Sequence, residues 1–150
     1  MTNKQSINTV IRPATDDDLP AIIALLTDAH LPIDGGKEHL ATFLIAENNG
    51  SIVGAAGIEL YGNIALLRSV VVASNLRNSG IGTALYDAVT RLAKELHANQ
   101  FILLTTTADK YFKRKGFVRI DRRALTGAIT QSIEFTSACP SSAICMKKEI

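Results

Sequence analysis

Two glycines stand at the start of a long amphipathic segment, in the stretch 77-RNSGIGTAL-85. The first N–H groups of a helix lack internal partners and lie at the positive end of its dipole. Gly80 and Gly82 would therefore let a phosphate approach the bare backbone. Arg77 adds a positive charge, and Asn78 tolerates the left-handed backbone that a turn around a phosphate often needs. The same glycines would equally suit a tight turn from strand to helix, and a Gly-x-Gly pattern does not separate the two readings.

Charged and polar residues interrupt several apolar strands. Glu59 lies in 52-IVGAAGIEL-60, where burial would raise its pKa toward the range useful for a general base, unless it faces solvent. Arg68, next to Ser69, interrupts another apolar run. A buried arginine needs an anionic partner, either a substrate oxyanion or Glu59, and the alternative is a surface position. A threonine run starting at Thr105 ends a third strand, where hydroxyls could meet a ligand, although threonine is also a routine strand residue.

The sequence gives no sign of a metal site or of nucleic acid binding. Cys139 and Cys145 are six residues apart, but Pro140 interrupts the strand that would place them on one face, and no histidine has ligand spacing to them. Buried, reduced cysteines are the better interpretation. The net charge of +2 is too balanced to indicate nucleic acid. Without a secretion signal or an apolar run of about 20 residues, the chain is predicted to be cytoplasmic and not membrane-bound.

Elements of both kinds alternate along the chain. Residues 1–7 are expected to be a flexible N-terminus and residues 8–150 one domain. The apolar spacing of 80–98 predicts an amphipathic helix of four turns, and Asn48-Asn49-Gly50 predicts a hairpin turn. The other predicted elements are strands at 8–14, 42–47, 51–61, 63–73, 100–107, from 117 and at 142–149, and helices at 15–30 and 108–115. A meander followed by a helix, a strand, a short helix and a strand pair predicts an α+β fold.

The pattern Arg77-x-x-Gly80-x-Gly82, after a β-branched strand ending at Val72, resembles the acyl-CoA-binding signature of the GNAT superfamily of N-acetyltransferases. The resemblance extends over nearly the whole chain. It includes the stretches 10-VIRPATDDDLPAIIALL-26, 52-IVGAAGI-58 and 111-YFKRKGF-117. The strings 43-FLIAE-47, 57-GIELYG-62, 66-LLRSVVV-72, 103-LLTTTA-108 and 139-CPSSA-143 look most like the arsenic-resistance branch of that superfamily, with glutamate N-acetyltransferases as more distant relatives.

The resemblance implies acetyl-CoA as the acetyl donor, without a metal, and a mixed, mainly antiparallel central sheet flanked by helices. It places the pantetheine beside the strand backbone and the pyrophosphate on the glycine loop. The implied acyl-CoA-binding residues are Val70, Val71, Val72, Arg77, Asn78, Ser79, Gly80, Ile81, Gly82 and Thr83. The implied substrate-binding residues are Arg68, Ser69 and Thr105.

For the chemistry, the resemblance makes Glu59 the candidate base. Many members of the superfamily have a tyrosine four residues before the glycine of a late Gly-Phe pair, and in this chain Phe112 occupies that position. Tyr111, one residue earlier, or water is then the candidate proton donor to the departing thiolate, and the alternative role of Tyr111 is packing alone.

The resulting prediction is acetyl transfer from acetyl-CoA to the amine of a small amino-acid-like molecule, with an arsenic-containing compound among the candidates. The alternatives are a glutamate-type amino-acid N-acetyltransferase and a non-catalytic acyl-CoA-binding or sensor domain, which the missing tyrosine would explain. The expected partner is a small-molecule amine, and a homodimer is a further candidate assembly.

Overall fold

The computed structural model describes residues 9–77, 79–139 and 142–150, so the predicted flexible N-terminus 1–7 and Asn78 lie outside the described residues. Seven strands of the described chain form one sheet in the order β1-β2-β3-β4-β5-β7-β6. The strands are β1 (Thr9–Pro13), β2 (Phe43–Asn48), β3 (Ser51–Tyr61), β4 (Ile64–Val72), β5 (Gln100–Thr105), β6 (Val118–Ile120) and β7 (Ile144–Glu149). Neighbouring strands are antiparallel except β4 and β5, which are parallel. This confirms the predicted mixed, mainly antiparallel sheet.

Three α-helices accompany this sheet: α1 (Leu19–Asp28), α2 (Ile81–Glu95) and α3 (Asp109–Arg114). Alternate side chains of β2 point to opposite faces, as the pleat of a strand requires. Leu44 and Ala46 belong to the apolar cluster that α2 covers. Phe43 and Ile45 belong to a second cluster with α1. The two long helices therefore pack on opposite faces of the sheet. No helix in the described ranges is long and apolar enough to cross a membrane.

Helix α1 begins later than the acidic run at 16–18 predicts, because this run forms a 3-10 turn that ends at a buried carboxylate. Asp18 accepts hydrogen bonds from the Thr15 backbone N–H at 2.7 Å and from Arg12 Nη1 and Nη2 at 2.8 and 3.0 Å. Arg12 also donates to Glu47 at 3.0 Å. The turn thereby ties the start of α1 to strands β1 and β2.

The segment between β6 and β7 is irregular. It consists of 3-10 turns at Arg122–Ala124 and Ala128–Gln131 and a π-helical turn at Glu134–Ala138. Gly127, at φ +87°, ends any helical run here, because L residues with side chains rarely adopt that conformation. Cys139 follows the π-turn and Cys145 lies within β7, so the two cysteines do not share an uninterrupted strand.

Strands β4 and β5 part halfway along their length. Their pairing runs from Ile64 and Gln100 to Leu66 and Ile102 and then stops, although β4 continues to Val72 and β5 to Thr105. In the same stretch β4 shifts its register against β3, and Ser69 takes a left-handed conformation at φ +59°. A bulge of this kind bends a strand and re-aims its side chains. The result is a cleft that opens between two neighbouring strands.

Candidate active site

Two adjoining cavities occupy this cleft, and they share Val70, Ala108 and Phe112 in their walls. The first, of about 390 Å³, is lined by His30, Leu31, Pro32, Leu67, Arg68, Ser69, Val70, Leu103, Leu104, Thr105, Thr106, Thr107, Ala108, Phe112, Cys139 and Ala143. The second, of about 300 Å³, is lined by Val70, Val71, Val72, Leu76, Arg77, Gly82, Ala108, Tyr111 and Phe112. We refer to them as the Arg68 cavity and the Gly82 cavity. The predicted polar residues Arg68, Ser69 and Thr105 meet in the first. The predicted strand residues 70–72 and, of the predicted loop, Arg77 and Gly82 meet in the second.

The glycine loop lies at one end of the Gly82 cavity. Gly80 is the N-cap of α2 at φ +91°, so it serves the turn into the helix. At Gly82 a Cβ atom would lie 3.6 Å from Val72 Cγ2 and 3.9 Å from Tyr111 Oη, which are ordinary contacts. Gly82 therefore exposes its backbone to the cavity without any need of the fold for a glycine there. Arg77 lines the same cavity and its Nε donates to the Val72 carbonyl at 3.4 Å.

The remaining loop residues differ in exposure. Ser79 is half-buried and its hydroxyl donates to the Leu76 carbonyl at 2.5 Å. Ile81 is buried in the core, and Thr83 is exposed on the first turn of α2. Lys115 Nζ lies 3.4 Å from Thr83 Oγ1, which places a positive charge close to the helix N-terminus. In the sequence, Lys115 belongs to a basic run at 113–115 that is more typical of a solvated surface than of a phosphate-binding patch.

A buried ion pair forms the wall behind the Arg68 cavity. Arg68 Nη1 donates to Glu59 Oε2 at 2.8 Å, and both side chains are fully buried. The other Glu59 oxygen accepts hydrogen bonds from Tyr61 Oη at 2.5 Å and from Ser132 Oγ at 2.7 Å. His39 Nε2 lies 3.7 Å from the same oxygen. Of the alternatives weighed for Arg68, the structure has the ion pair with Glu59 and excludes a surface position.

The pKa of Glu59 differs from the value that its sequence context predicts. Burial raises the pKa of this carboxyl, but the hydrogen bonds from Tyr61, Ser132 and Arg68 outweigh burial and hold its pKa below the ordinary value. The prediction that burial would raise the pKa of Glu59 toward that of a general base is therefore wrong. Glu59 also lines neither cavity and has no exposed surface. In this arrangement its carboxylate is a fixed anion that holds Arg68.

A second buried carboxylate, which the sequence did not single out, approaches Arg68 from the other side. Glu134 Oε2 lies 3.5 Å from Arg68 Nη2, a nitrogen without a hydrogen-bond partner among the described residues. The Cys139 thiol donates to Glu134 Oε1 at 3.3 Å. Burial raises the pKa of Glu134, and the positive charge of Arg68 only partly opposes this.

Around the junction of the two cavities, the aromatic residues of α3 take different places. Phe112 lines both cavities, and Tyr111 lines the Gly82 cavity with its ring edge-on to Phe112 at 5.1 Å. Burial raises the pKa of Tyr111, so its phenol is protonated at neutral pH.

Two hydroxyl side chains of the Arg68 cavity already have hydrogen bonds. Thr105 lines this cavity while its Oγ1 accepts from the Ala108 N–H at 2.9 Å. Ser69 Oγ accepts from Arg68 Nε at 3.1 Å.

Most of the chain that forms this sheet and cleft matches a known protein family. Residues 11–117 match the acetyltransferase (GNAT) family. The chain belongs to this family. Among the described residues, no group of three or more His, Cys, Asp or Glu side chains is placed to hold a metal ion.

The chain is similar to several acetyltransferases. The N-acetyltransferase CT2212 of Chlorobaculum tepidum is 28% identical over 72% of this chain and 68% of its own length. The amino-acid acetyltransferase of Pasteurella multocida is 29% identical over 71% of this chain, but the match spans only 26% of that longer protein. The N-acetylglutamate synthase of Neisseria gonorrhoeae, solved with coenzyme A and N-acetyl-glutamate, superposes with a TM-score of 0.81 at 18% identity, covering 94% of this chain and 35% of that one. This last likeness concerns the fold.

Proposed function

We propose that this chain transfers the acetyl group of acetyl-CoA to the amine of a small amino-acid-like molecule. The observation that carries the proposal is the cleft between β4 and β5, with Gly82 of the first turn of α2 at one end and the buried Arg68 at the other. The first end suits a phosphate and the second suits an anion. A donor with a pyrophosphate and an acceptor with an acidic group would fill the two cavities together.

The Gly82 cavity supports a binding site for the acetyl donor. Its pyrophosphate would lie on the amides of residues 78–83, because Gly82 leaves the backbone open to the cavity. The pantetheine would follow β4 along Val70, Val71 and Val72, whose pairing with β5 has ended. Arg77 would add a positive charge at the same end.

The Arg68 cavity supports a binding site for the acceptor. Arg68 Nη2 is buried and has no hydrogen-bond partner among the described residues. A carboxylate or an arsenic-containing oxyanion on the acceptor would pair with it if the wall of the cavity opens when the acceptor binds. Ser69 and Thr105 contribute hydroxyls to the same wall. L-Glutamate is the first acceptor to test, since related enzymes carry amino-acid acetyltransferase names and one was solved with N-acetyl-glutamate. An amino acid with an arsenic-containing side chain is the second, on the resemblance of residues 66–72 and 139–143 to the arsenic-resistance branch.

For the thiolate that leaves, Tyr111 is the candidate proton donor, because its protonated phenol lines the Gly82 cavity beside Val72 and Gly82. Water is the alternative. Phe112 lines both cavities at their junction, but its side chain has no hydroxyl and cannot donate a proton. Glu59 supports Arg68 in this proposal. The homodimer and the cytoplasmic location stay predictions.

The proposal is tested by measuring thiol release from acetyl-CoA across a panel of amines. The panel holds L-glutamate, L-glutamine, an arsenic-containing amino acid, and n-butylamine as an amine without an acidic group. Acceptor-dependent thiol release, strongest for the acidic amino acids, is expected. Binding of CoA with no thiol release on any amine would favour a non-catalytic acyl-CoA-binding domain and reject the proposal.

A further inference from the structure

The two carboxylates beside Arg68 differ sharply in the hydrogen bonds they receive. Glu59 has three strong donors, from Tyr61, Ser132 and Arg68. Glu134 has one weak donor, the Cys139 thiol at 3.3 Å, and an ion-pair contact at 3.5 Å that is too long for a good hydrogen bond. A buried carboxylate with so little support is the one that gains most from taking up a proton. Carboxylates whose surroundings differ in this way commonly divide acid and base roles between them.

Cys139 connects Glu134 to the cavity. Cys139 belongs to the wall of the Arg68 cavity, whereas Glu134 does not line the cavity and is 4% exposed. The π-turn fixes the pair, because the Cys139 N–H donates to the Glu134 carbonyl at 3.2 Å while its thiol donates to the Glu134 side chain. Turns of this type occur frequently at functional sites. Burial raises the pKa of Cys139 to about 12, so the sulfur carries its proton and can pass it on.

The charges around this pair come from several elements. Arg68 of β4 faces Glu134 directly, and Glu59 of β3 and Asp34 of the turn after α1 add negative charge. The positive charge of Arg122 acts to lower the pKa of the Cys139 thiol. The Arg68 nitrogen nearest Glu134 is buried and has no hydrogen-bond partner among the described residues, so its positive charge is only partly compensated. This charge would attract an acidic group of a ligand in the Arg68 cavity, whose wall also includes Cys139.

We propose that Cys139 and Glu134 form a proton relay that takes the proton from the acceptor's ammonium group. The inference rests on the proposed function. The N–H bond of the ammonium breaks and its proton passes to the sulfur of Cys139, while the thiol proton passes to the Glu134 carboxylate. The freed lone pair attacks the thioester carbonyl, and the C–S bond breaks. The second N–H proton ends on the CoA thiolate, by way of Tyr111 or water, so the products are the amide, CoA and a protonated Glu134.

The relay makes distinct predictions for two substitutions at one position. Cys139→Ser keeps a group that both donates and accepts hydrogen bonds, and its kcat with L-glutamate should lie well above that of Cys139→Ala. Cys139→Ala interrupts the relay and should lower kcat by about 10²-fold, the usual scale for general-base loss. Glu134→Gln should lower kcat as far, and the double variant Cys139→Ala/Glu134→Gln no further, because members of one relay do not act additively.

Two controls separate the relay from a structural role. The Kd of acetyl-CoA should be unchanged in all four variants, and Glu134→Asp should restore part of the rate by restoring a carboxylate. In the unchanged chain, the infrared band of protonated Glu134 should titrate above the ordinary glutamate pKa and vanish in Glu134→Gln. That measurement needs no acceptor and stands even if a variant is too unstable to assay.

The outcomes are decisive in each direction. Full turnover of Glu134→Gln, or of Cys139→Ala beside an inactive Glu134→Gln, would overturn the relay. A Glu134 band that titrates at the ordinary value would also overturn it. If the unchanged chain acetylates no amine of the panel, the proposed function fails instead, and the infrared titration alone then decides whether Glu134 holds a proton.

Discussion

A valine at position 82 should abolish tight binding of acetyl-CoA while leaving the fold intact. The Cβ of the new residue would have ordinary contacts, the nearest at 3.6 Å, so the core does not resist it. Gly82 is not one of the glycines with a positive φ, so its backbone conformation suits a residue with a side chain. Valine is also intrinsically no worse in a helix than glycine. The γ-methyl groups, however, would stand in the Gly82 cavity, which is about 300 Å³ in volume.

The size of the effect follows from the contacts that the methyl groups would remove. A hydrogen bond between a backbone amide and a charged phosphate contributes about 1.5–3 kcal/mol. Since about 1.4 kcal/mol corresponds to a factor of ten, the loss of one such bond should raise the Kd of acetyl-CoA about 10- to 150-fold. The loss of two would make binding hard to detect.

Isothermal titration calorimetry with acetyl-CoA measures this change, and thermal unfolding checks the fold. Ala84→Val is the matched control. It adds a branched side chain to the same helical turn, but Ala84 is exposed and lines a different groove, with Arg12 and Asp87. Its Kd should equal that of the unchanged chain. If folded Gly82→Val binds acetyl-CoA as well as Ala84→Val does, the pyrophosphate does not lie on this loop.

Three further predictions concern the rest of the cleft and the start of α1. Arg68→Lys keeps a cation for Glu59 but loses the two parallel N–H donors of the guanidinium. The KM for L-glutamate should therefore rise about tenfold, and the KM for n-butylamine should not change. Equal rises in both KM values would show that Arg68 does not recognise the acidic group of the acceptor. Tyr111→Phe should lower kcat by about tenfold or more at unchanged acetyl-CoA affinity if the phenol protonates the thiolate, whereas an unchanged kcat would assign that step to water. The hydrogen bonds from Arg12 lower the pKa of Asp18 from 3.8 to about 2. The folded value lies below the unfolded one, so this stabilisation is complete above the unfolded pKa and is lost as the pH falls toward about 2. Urea unfolding as a function of pH should show this loss, and Asp18→Asn should remove it; an identical acid profile in Asp18→Asn would contradict the assignment.

The sequence predicts most of the sheet and the long helix because their signals are local. Apolar spacing over four turns marks α2, and the Asn48-Asn49-Gly50 turn marks the β2–β3 hairpin, both of which the structure contains. The start of α1 was misplaced, since the acidic run that resembles a first turn is held in a 3-10 turn by Arg12 of β1. That bond joins two elements, and no local pattern encodes it.

The candidate site likewise contains residues that local sequence patterns reveal and residues that they do not. The glycine loop and the two charged strand residues Glu59 and Arg68 stand out in the sequence because each breaks a regular pattern. Glu134 and Ser132 do not, since they lie in an irregular segment without periodicity. Ser132 reaches Glu59 across 73 residues of chain. The pKa of Glu59 could not be predicted from burial alone, because its sign depends on these distant donors.

The most direct test of acetyl transfer is mass spectrometry of the product formed from L-glutamate and acetyl-CoA labelled with ¹³C in the acetyl group. The labelled acetyl group should appear on the α-amine of glutamate, at a rate that Gly82→Val suppresses and Ala84→Val does not. Labelled acetate as the only product, or label on no amine of the panel, would contradict the assignment of this cleft to acetyl transfer between acetyl-CoA and an amino-acid-like amine.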